Sequence, residues 1–447
     1  MSIRPSRIAV GLAMLIATSS MCGAADGLLD TTFGGSDGAG RVDLDFARPA
    51  GNFDSPRVVV VQRDHRIVVA GPCGAANGNT DICAGRLLPD GALDTTFSGG
   101  RVAIALDLGG DNADLVTDMA VDHAGRTLIL ANTSGGALFL IRLTATGGLD
   151  ATWGDASPGI RALGGSQGGL SGSTQRLAID DNDRYVVAST YPAGYPTSPS
   201  SDLVVARYLD TNAVDTAFAP PAGALPLSFS DNPDAVRSLD IDSGGNILLG
   251  VTVTEASGSD AGVVRLTGAG AIDTGWGSSG KRLIDFGTSG HGGDLRRVSA
   301  LADRSVVVAT TAGIARLTTS GDLDGQFGSN GTHAVSCSAL LGSALTIRSA
   351  RLVDAHHIVI AGSSGSSAAA ARVLLDSGDL DPAFDGGCVS VPFVTSSDAA
   401  TTSAAFSLAL QNAHPIVAVD FNYGPTGIDM GVARLTDETI FRDAFDW

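Results

Sequence analysis

Four aspartates stand at matching places ahead of apolar, strand-like segments, and their chemistry suggests an ion or ligand site. They are Asp54, Asp114, Asp234 and Asp294. Carboxylate oxygens are the ligands that calcium prefers, and a ring of them could equally hold a cationic ligand. Three of the four are followed three residues later by an arginine, namely Arg57, Arg237 and Arg297. The alternative is therefore that these carboxylates form structural ion pairs between neighbouring repeats.

A second candidate site is a set of tyrosines in irregular, loop-like segments. Tyr191 and Tyr195 lie in the proline-containing stretch 190–202, and Tyr423 lies in the stretch 421–430. Amphipathic rings on a stiffened loop suit contacts with a sugar or a peptide. The alternative is a surface insertion without a role, because loops tolerate insertions freely.

Signatures of catalysis are missing from the sequence. Five histidines fall in the turns of different repeats, whereas zinc needs three or four ligands that converge on one ion: His65, His123, His356, His357 and His414. No Gly-x-Ser-x-Gly elbow, P-loop or full dinucleotide fingerprint stands on a predicted strand-to-helix turn of the chain. The sequence therefore predicts no catalytic residue and no cofactor, apart from calcium if the aspartates bind it.

These candidates belong to a repeated framework. A phrase of the type Ala-Arg-Leu-Thr, then Gly, then Leu-Asp and an aromatic three residues later recurs along the chain. Its arginines are Arg86, Arg142, Arg207, Arg265, Arg316, Arg372 and Arg434. Its aspartates are Asp30, Asp94, Asp150, Asp215, Asp273, Asp324 and Asp381. An aspartate in this position caps a short turn, so a motif present in every repeat indicates architecture rather than a site.

The segments between these phrases read as hairpins of two apolar strands around a polar turn. There are seven hairpins, and their second strands are apolar without alternation, as expected of strands buried on both faces. The pattern predicts an all-β, seven-bladed β-propeller with four antiparallel strands per blade. A single unmatched strand at about 41–46 precedes the first hairpin, and the seventh repeat lacks its outer strand. We expect the N-terminal strand to complete the last blade and to close the ring.

The connections between strands fall into two groups, and each group lies on one face of the propeller. The hairpin turns and the Leu-Asp turns share one face, here called the turn face. The other connections share the opposite, variable face, which includes the stretches 71–82, 190–202, 254–262 and 421–430. Long irregular loops on a rigid scaffold are where binding residues usually lie.

The repeat phrases also resemble a known family. Leu93-Asp94-Thr95-Thr96-Phe97 and Ala315-Arg316-Leu317-Thr318 are similar to the bacterial delta-60 repeats, whose members resemble NHL-type β-propellers. The resemblance covers about residues 28–436. It implies a propeller and export from a bacterial cell, and it brings no catalytic residues.

The N-terminus indicates export as well. Two arginines, a short apolar run and small residues before Ala25 predict a signal peptide over residues 1–24, with a lipid anchor on Cys22 as the alternative. The propeller should then span 25–436, followed by a short tail at 437–447. An oxidising compartment permits disulfides, which we expect between Cys73 and Cys83 and, as a second pair, between Cys337 and Cys388.

Charge limits the partners. The formal net charge of −19 argues against nucleic acid and anionic membranes, and no later segment is long and apolar enough to span a bilayer. The leading hypothesis is an exported, monomeric, non-catalytic propeller that binds a protein or glycan through its variable face. A channel-mouth hydrolase or lyase using Asp with His or Arg, and a structural envelope or matrix protein, are the alternatives. Periplasm, cell surface and medium are equally consistent with the signal.

Overall fold

The computed structural model of the chain describes residues 26–34, 39–46, 53–74, 79–106, 113–134, 136–163, 174–190, 203–232, 234–255, 258–286, 293–393, 402–422 and 427–437. Within these ranges the chain forms seven four-stranded antiparallel sheets, each built from consecutive strands except at the ring closure. The predicted seven-bladed propeller is confirmed.

The blades are numbered 1 to 7 in the order in which their innermost strands occur along the chain. Each blade contributes one strand to each of four concentric layers. The innermost strands are β2 (Val58–Val61), β6 (Asp114–Val121), β10 (Gln175–Ile179), β14 (Asp234–Ile241), β18 (Leu295–Ala300), β22 (Leu345–Leu352) and β26 (Thr402–Gln411). The second strands are β3 (Ile67–Gly74), β7 (Thr127–Thr133), β11 (Tyr185–Thr190), β15 (Ile247–Glu255), β19 (Val306–Thr310), β23 (His357–Ser364) and β27 (His414–Asn422).

The outer half of each blade is built in the same way. The third strands are β4 (Thr80–Leu87), β8 (Leu138–Leu143), β12 (Leu203–Tyr208), β16 (Gly258–Leu266), β20 (Gly313–Leu317), β24 (Ser367–Leu374) and β28 (Ile428–Arg434). The outermost strands are β5 (Arg101–Ile104), β9 (Ile160–Ala162), β13 (Ala224–Leu227), β17 (Lys281–Ile284), β21 (Thr332–Ala334), β25 (Cys388–Ser390) and β1 (Arg41–Asp43). The helical pieces are short: α1 (Ser338–Leu341) and the turns Ser98–Gly100, Ala219–Gly223 and Asp385–Gly387.

The ring closes through the N-terminal strand. β1 pairs antiparallel with β28, and Val42 lies opposite Val432 at the centre of the register. The N–H of Leu44 continues the pairing to the carbonyl of Met430 at 2.8 Å. Blade 7 is therefore completed by residues from the opposite end of the chain, as the unmatched strand predicts, and its open edge is removed.

The hydrophobic core is divided among the blade interfaces. Seven apolar clusters are formed by the described residues, and each draws its side chains from two neighbouring blades. The second strands are buried on both faces; β3, for example, is buried throughout. Continuous apolar strands are stable here because each sheet is covered by another on both sides.

The repeated Arg and Asp brace the turn face. Arg86 donates to the Asp94 carboxylate at 2.7 Å, and the other oxygen of Asp94 accepts the Thr96 N–H at 3.0 Å. The Arg86 guanidinium also lies 4.6 Å from the centre of the Phe97 ring and donates to the carbonyl of Ala145 in the next blade. The motif thus ties each turn to its own strand and to the neighbouring blade.

Two disulfides join parts of single blades. Cys73 and Cys83 link β3 to β4 in blade 1. Cys337 and Cys388 link the segment that leads into blade 6 to the outermost strand of that blade. Among the described residues, no helix is long and apolar enough to cross a membrane.

Candidate functional site

Three of the four sequence-predicted aspartates fasten the passage from one blade to the next. Asp114 accepts the Leu106 N–H at 2.8 Å, and Asp54 accepts the Phe46 N–H at 3.0 Å. Asp234 accepts the Phe229 N–H at 2.7 Å. All three are almost fully buried, and each binds the backbone just past an outermost strand. These hydrogen bonds hold the connection between two blades in place, so each of the three carboxylates has a structural role.

The fourth, Asp294, is half-buried and lies 3.7 Å from the Arg296 guanidinium. Among the residues that the structure describes, only Asp45, Asp54 and Asp429 bring three carboxylates within 4.8 Å of one another. Burial, with Asp429 and Asp45 alongside, raises the pKa of the adjacent Asp43 to about 7. This acidic cluster lies where blade 7 meets blade 1, and it includes only one member of the expected ring. Calcium binding therefore stays a prediction. Tyr191, Tyr195 and Tyr423 lie outside the described residues.

A different site lies on the propeller axis. A cavity of about 100 Å³ is lined by residues from the innermost segments of all seven blades. Seven of its lining residues are arginines: Arg57, Arg176, Arg237, Arg296, Arg297, Arg348 and Arg351. The only carboxylate in the lining is that of Asp118. In a chain of net charge −19, this is a local concentration of positive charge.

The backbone explains why these arginines point to the axis. The register of the innermost strands shifts at Arg237, Arg296 and Arg348, each of which is the extra residue of a β-bulge. A bulge bends its strand and redirects the side chain of the extra residue. Arg57, just before β2, completes this set, here called the upper arginines. The innermost strands run from the variable face to the turn face, so the upper arginines lie in the half of the channel nearer the variable face.

The upper arginines have few partners. Among the described residues, the guanidiniums of Arg57, Arg237 and Arg348 have no hydrogen-bonded acceptor, and Nε of Arg237 and of Arg296 is buried without one. Arg57 and Arg348 both lie over the Phe406 ring, 4.9 and 4.6 Å from its centre. Cation–π contact holds these two side chains in place and leaves their N–H groups available.

The other three, here called the lower arginines, are better satisfied. Arg176 donates to the carbonyls of Arg237 and Gln175 at 2.5 and 2.6 Å. Arg297 donates to the Ser299 hydroxyl at 3.2 Å, and Arg351 donates to its neighbouring carbonyl at 2.9 Å. The three lower arginines therefore already donate hydrogen bonds to acceptors within the protein.

Acidic residues near the axis are mostly occupied by the backbone. Asp118 accepts the N–H groups of Leu177 and Met119, each at 2.9 Å. Asp240 accepts the Ala300 N–H at 2.8 Å and lies 3.8 Å from Arg297. These carboxylates link one innermost strand to the next, and their negative charges act on the lower arginines Arg176 and Arg351.

Charge repulsion is visible in the pKa values. Burial lowers the pKa of Arg296, and the nearby Arg237 and Arg348 lower it further, against the opposing effect of Asp294. Burial and Arg348 lower the pKa of Arg57 in the same way. Guanidinium groups nevertheless remain charged at any physiological pH. The channel therefore holds like charges close together, an arrangement that an anion would relieve.

Two larger grooves, of about 410 and 460 Å³, lie on the turn face between blades 1 and 2 and between blades 7 and 1. Each groove includes an arginine of the repeated framework that is already paired: Arg86, in the first, binds Asp94, and Arg434, in the second, binds Asp30 at 2.7 Å. Because similar contacts recur around the ring, these grooves are a consequence of the repeat. The axial cavity is the better candidate site.

Sequence reasoning noticed Arg57, Arg237 and Arg297, but only as partners for the aspartates. It missed Arg176, Arg296, Arg348 and Arg351. Alignment of the seven innermost segments on their bulges would have found the upper arginines. That alignment needs the register, which the sequence does not display.

Comparison with known proteins supports the fold. The family model described as "Domain of unknown function (DUF5122) beta-propeller" matches residues 62–97. No curated protein sequence matches the chain.

Solved structures resemble the chain only distantly. A protein of unknown function from Dyadobacter fermentans is 10% identical, with a TM-score of 0.40, over 89% of this chain and 99% of its own. A calcium-binding regucalcin from Agrobacterium tumefaciens is 12% identical, with a TM-score of 0.39, over 72% of this chain and 90% of its own. A putative gluconolactonase is 11% identical, with a TM-score of 0.37, over 79% and 98% of the two chains. At this level of similarity, what those proteins bind says nothing about this one.

Proposed function

We propose that the protein is an exported, non-catalytic β-propeller that binds a protein or glycan on its variable face, with an acidic group of that partner in the axial cavity. The observation that carries this proposal is the uncompensated charge of the upper arginines. A planar guanidinium with free N–H groups is the side chain best suited to carboxylate, sulfate and phosphate groups.

Two features support recognition rather than catalysis. No histidine of the described residues lines the cavity, and both oxygens of Asp118 are engaged by backbone N–H groups. A hydrolase or lyase would need a group free to take up a proton. A purely structural role gives no reason for seven arginines to share one desolvated channel, because buried like charges destabilise a fold.

Export is part of the same proposal. The two disulfides suit an oxidising compartment, since thiols are kept reduced in the cytosol. An acidic outer surface also suits a partner that must find the axis, because repulsion elsewhere leaves the channel as the favoured point of contact for an anion.

The test is an array of oligosaccharides and peptides, each present with and without an acidic group, probed with the mature protein. We expect the protein to retain acidic members over their neutral counterparts. The Arg237→Gln/Arg348→Gln double variant should lose that retention, whereas Arg63→Gln should keep it, because Arg63 is exposed on a turn away from the axis. Equal retention of neutral members, or full retention by the double variant, would contradict the proposal.

A further inference from the structure

The number of charges around the upper arginines limits the kind of anion that fits. Four guanidiniums face this part of the channel: those of Arg57, Arg237, Arg296 and Arg348. Two carboxylates oppose them. Asp294 lies 3.7 Å from Arg296, and Asp420 acts on Arg57 and Arg348. These four arginines and two aspartates leave a net charge of +2, and the three lower arginines with Asp118 and Asp240 leave a further +1.

The size of the cavity sets a second limit. About 100 Å³ is well below the roughly 300–1,000 Å³ of typical small-molecule sites and suits one compact anionic group. The Phe406 ring occupies one side of the channel between Arg57 and Arg348, which narrows the space further. The ligand must therefore carry its charge on a small terminal group that can enter the cavity.

Geometry sets a third limit. The upper arginines come from blades 1, 4, 5 and 6 and approach the axis from different directions, since each is attached to a different innermost strand. Donors that converge from several sides match a tetrahedral anion, whose oxygens point in several directions. A planar carboxylate offers two oxygens in one plane and suits a single guanidinium.

We infer that the axial cavity is a site for a tetrahedral dianion, such as the phosphate group of a phosphate monoester or a free sulfate ion, held by Arg57, Arg237, Arg296 and Arg348. This inference rests on the proposed function and narrows its ligand from any acidic group to a phosphorylated one. The two negative charges of such a group offset the net positive charge around the upper arginines, whereas a sulfate ester carries only one negative charge. Its terminal oxygens accept the N–H groups that the protein leaves without acceptors.

The inference is tested by isothermal titration calorimetry of the mature protein in chloride buffer at constant ionic strength. Sodium sulfate, inorganic phosphate and sodium acetate serve as the three probes. We expect one sulfate or phosphate per chain, with a dissociation constant at least about tenfold lower than that of acetate, because a dianion gains roughly twice the Coulomb energy of a monoanion. Inorganic phosphate is compared at about pH 8.5, because its second pKa is about 7, above the value of about 6 for a phosphate ester.

Two variants separate the site from general salt effects. Arg237→Gln/Arg348→Gln should abolish the sulfate heat, and Arg63→Gln should leave it unchanged. Methyl phosphate, a dianion above about pH 7, is compared with methyl sulfate, a monoanion. Tighter binding of methyl phosphate supports the inferred dianion, whereas equal binding of the two esters contradicts it.

The failures are distinguishable. If acetate binds as tightly as sulfate and the double variant loses both, the tetrahedral dianion is wrong while recognition of an acidic group stands. If no anion produces heat, this inference is overturned, and the array decides the proposed function by itself. Sulfate binding that survives in the double variant overturns the assignment to these arginines.

Discussion

Two groups of arginines in this propeller have the same side chain and opposite surroundings. In the turns, each repeated arginine lies beside the repeated aspartate and, in most blades, reaches a backbone carbonyl of the next blade; Arg207, for example, donates to Asp215 at 2.7 Å and to the carbonyl of Gly268 at 2.6 Å. On the axis, the guanidiniums of Arg237 and Arg348 form no hydrogen bond of either kind among the described residues, although Asp420 acts on Arg348 through its charge.

The difference separates architecture from function. A paired arginine that recurs in every blade satisfies the fold, and its charge is used up within the protein. The upper arginines occur in four blades of seven and leave donors unused, although desolvation of a charge opposes folding. A protein keeps such a group when something outside the fold uses it.

The strongest test of this comparison is Arg372, the most deeply buried member of the turn group. Its guanidinium is fully buried and binds Asp381 at 2.6 Å, Asp26 at 3.0 Å and Asp437. Arg372→Met would leave three buried carboxylates without their cation. We expect the free energy of unfolding to fall by about 3–5 kcal/mol in urea titrations. A loss below about 1 kcal/mol would mean that the turn pairs do not stabilise the ring.

The same residue fastens the first and the last of the described residues, Asp26 and Asp437, to blade 6. Asp26 precedes β1, and Asp437 follows β28. The sequence assigns Asp437 to the tail, whereas the structure buries it completely. The clasp at Arg372 adds to the closure made by β1, and the predicted boundary between propeller and tail stays a prediction.

A direct comparison of the two groups uses Arg86→Met and Arg237→Met. Arg86 is buried and pairs with Asp94, so its loss should lower the free energy of unfolding by about 2–3 kcal/mol. Removal of Arg237 relieves repulsion and breaks no hydrogen bond of its guanidinium, so the change should stay within about 0.5 kcal/mol or stabilise the protein. Both are measured by urea unfolding without sulfate. Equal losses of unfolding free energy in the two variants would show that the turn arginines and the axial arginines contribute alike to stability.

Sequence reasoning reached the fold because the fold is repeated. Two local signals recur in the repeats, namely the spacing of Arg and Asp and the apolar hairpin. The one strand left unmatched, at Arg41, then predicts how the ring closes. The site is not repeated. Arg296 and Arg348 point to the axis because their strands bulge at those residues, and a bulge is set by the pairing register of two strands. The aspartates are the pattern that the sequence displays. In the structure, however, the carboxylates of Asp54, Asp114 and Asp234 accept hydrogen bonds from backbone N–H groups.

The smallest expected effect is a response to pH that has opposite signs in the two regions. In the turns, burial alone would raise the pKa of Asp94, but hydrogen bonds from Thr96 and the charge of Arg86 outweigh burial and lower it. The unfolded chain then binds more protons than the folded one at acidic pH. The stability from this pair is complete well above the ordinary value of 3.8 and is lost as the pH falls through the lowered pKa.

On the axis the sign is reversed for ligand binding. Burial raises the pKa of Asp420, although Arg348 and Arg57 oppose the rise. As the pH falls through that raised value, Asp420 loses its negative charge and the upper arginines gain net positive charge. Sulfate, whose own charge is constant, should therefore bind more tightly at a pH below that raised value than at a pH above it, as calorimetric titrations with sulfate at a series of pH values would measure. Asp420→Asn should bind sulfate tightly across the series, with the response to pH removed. A variant that keeps the full response would show that another group titrates, because an amide cannot take up the proton that the carboxylate does.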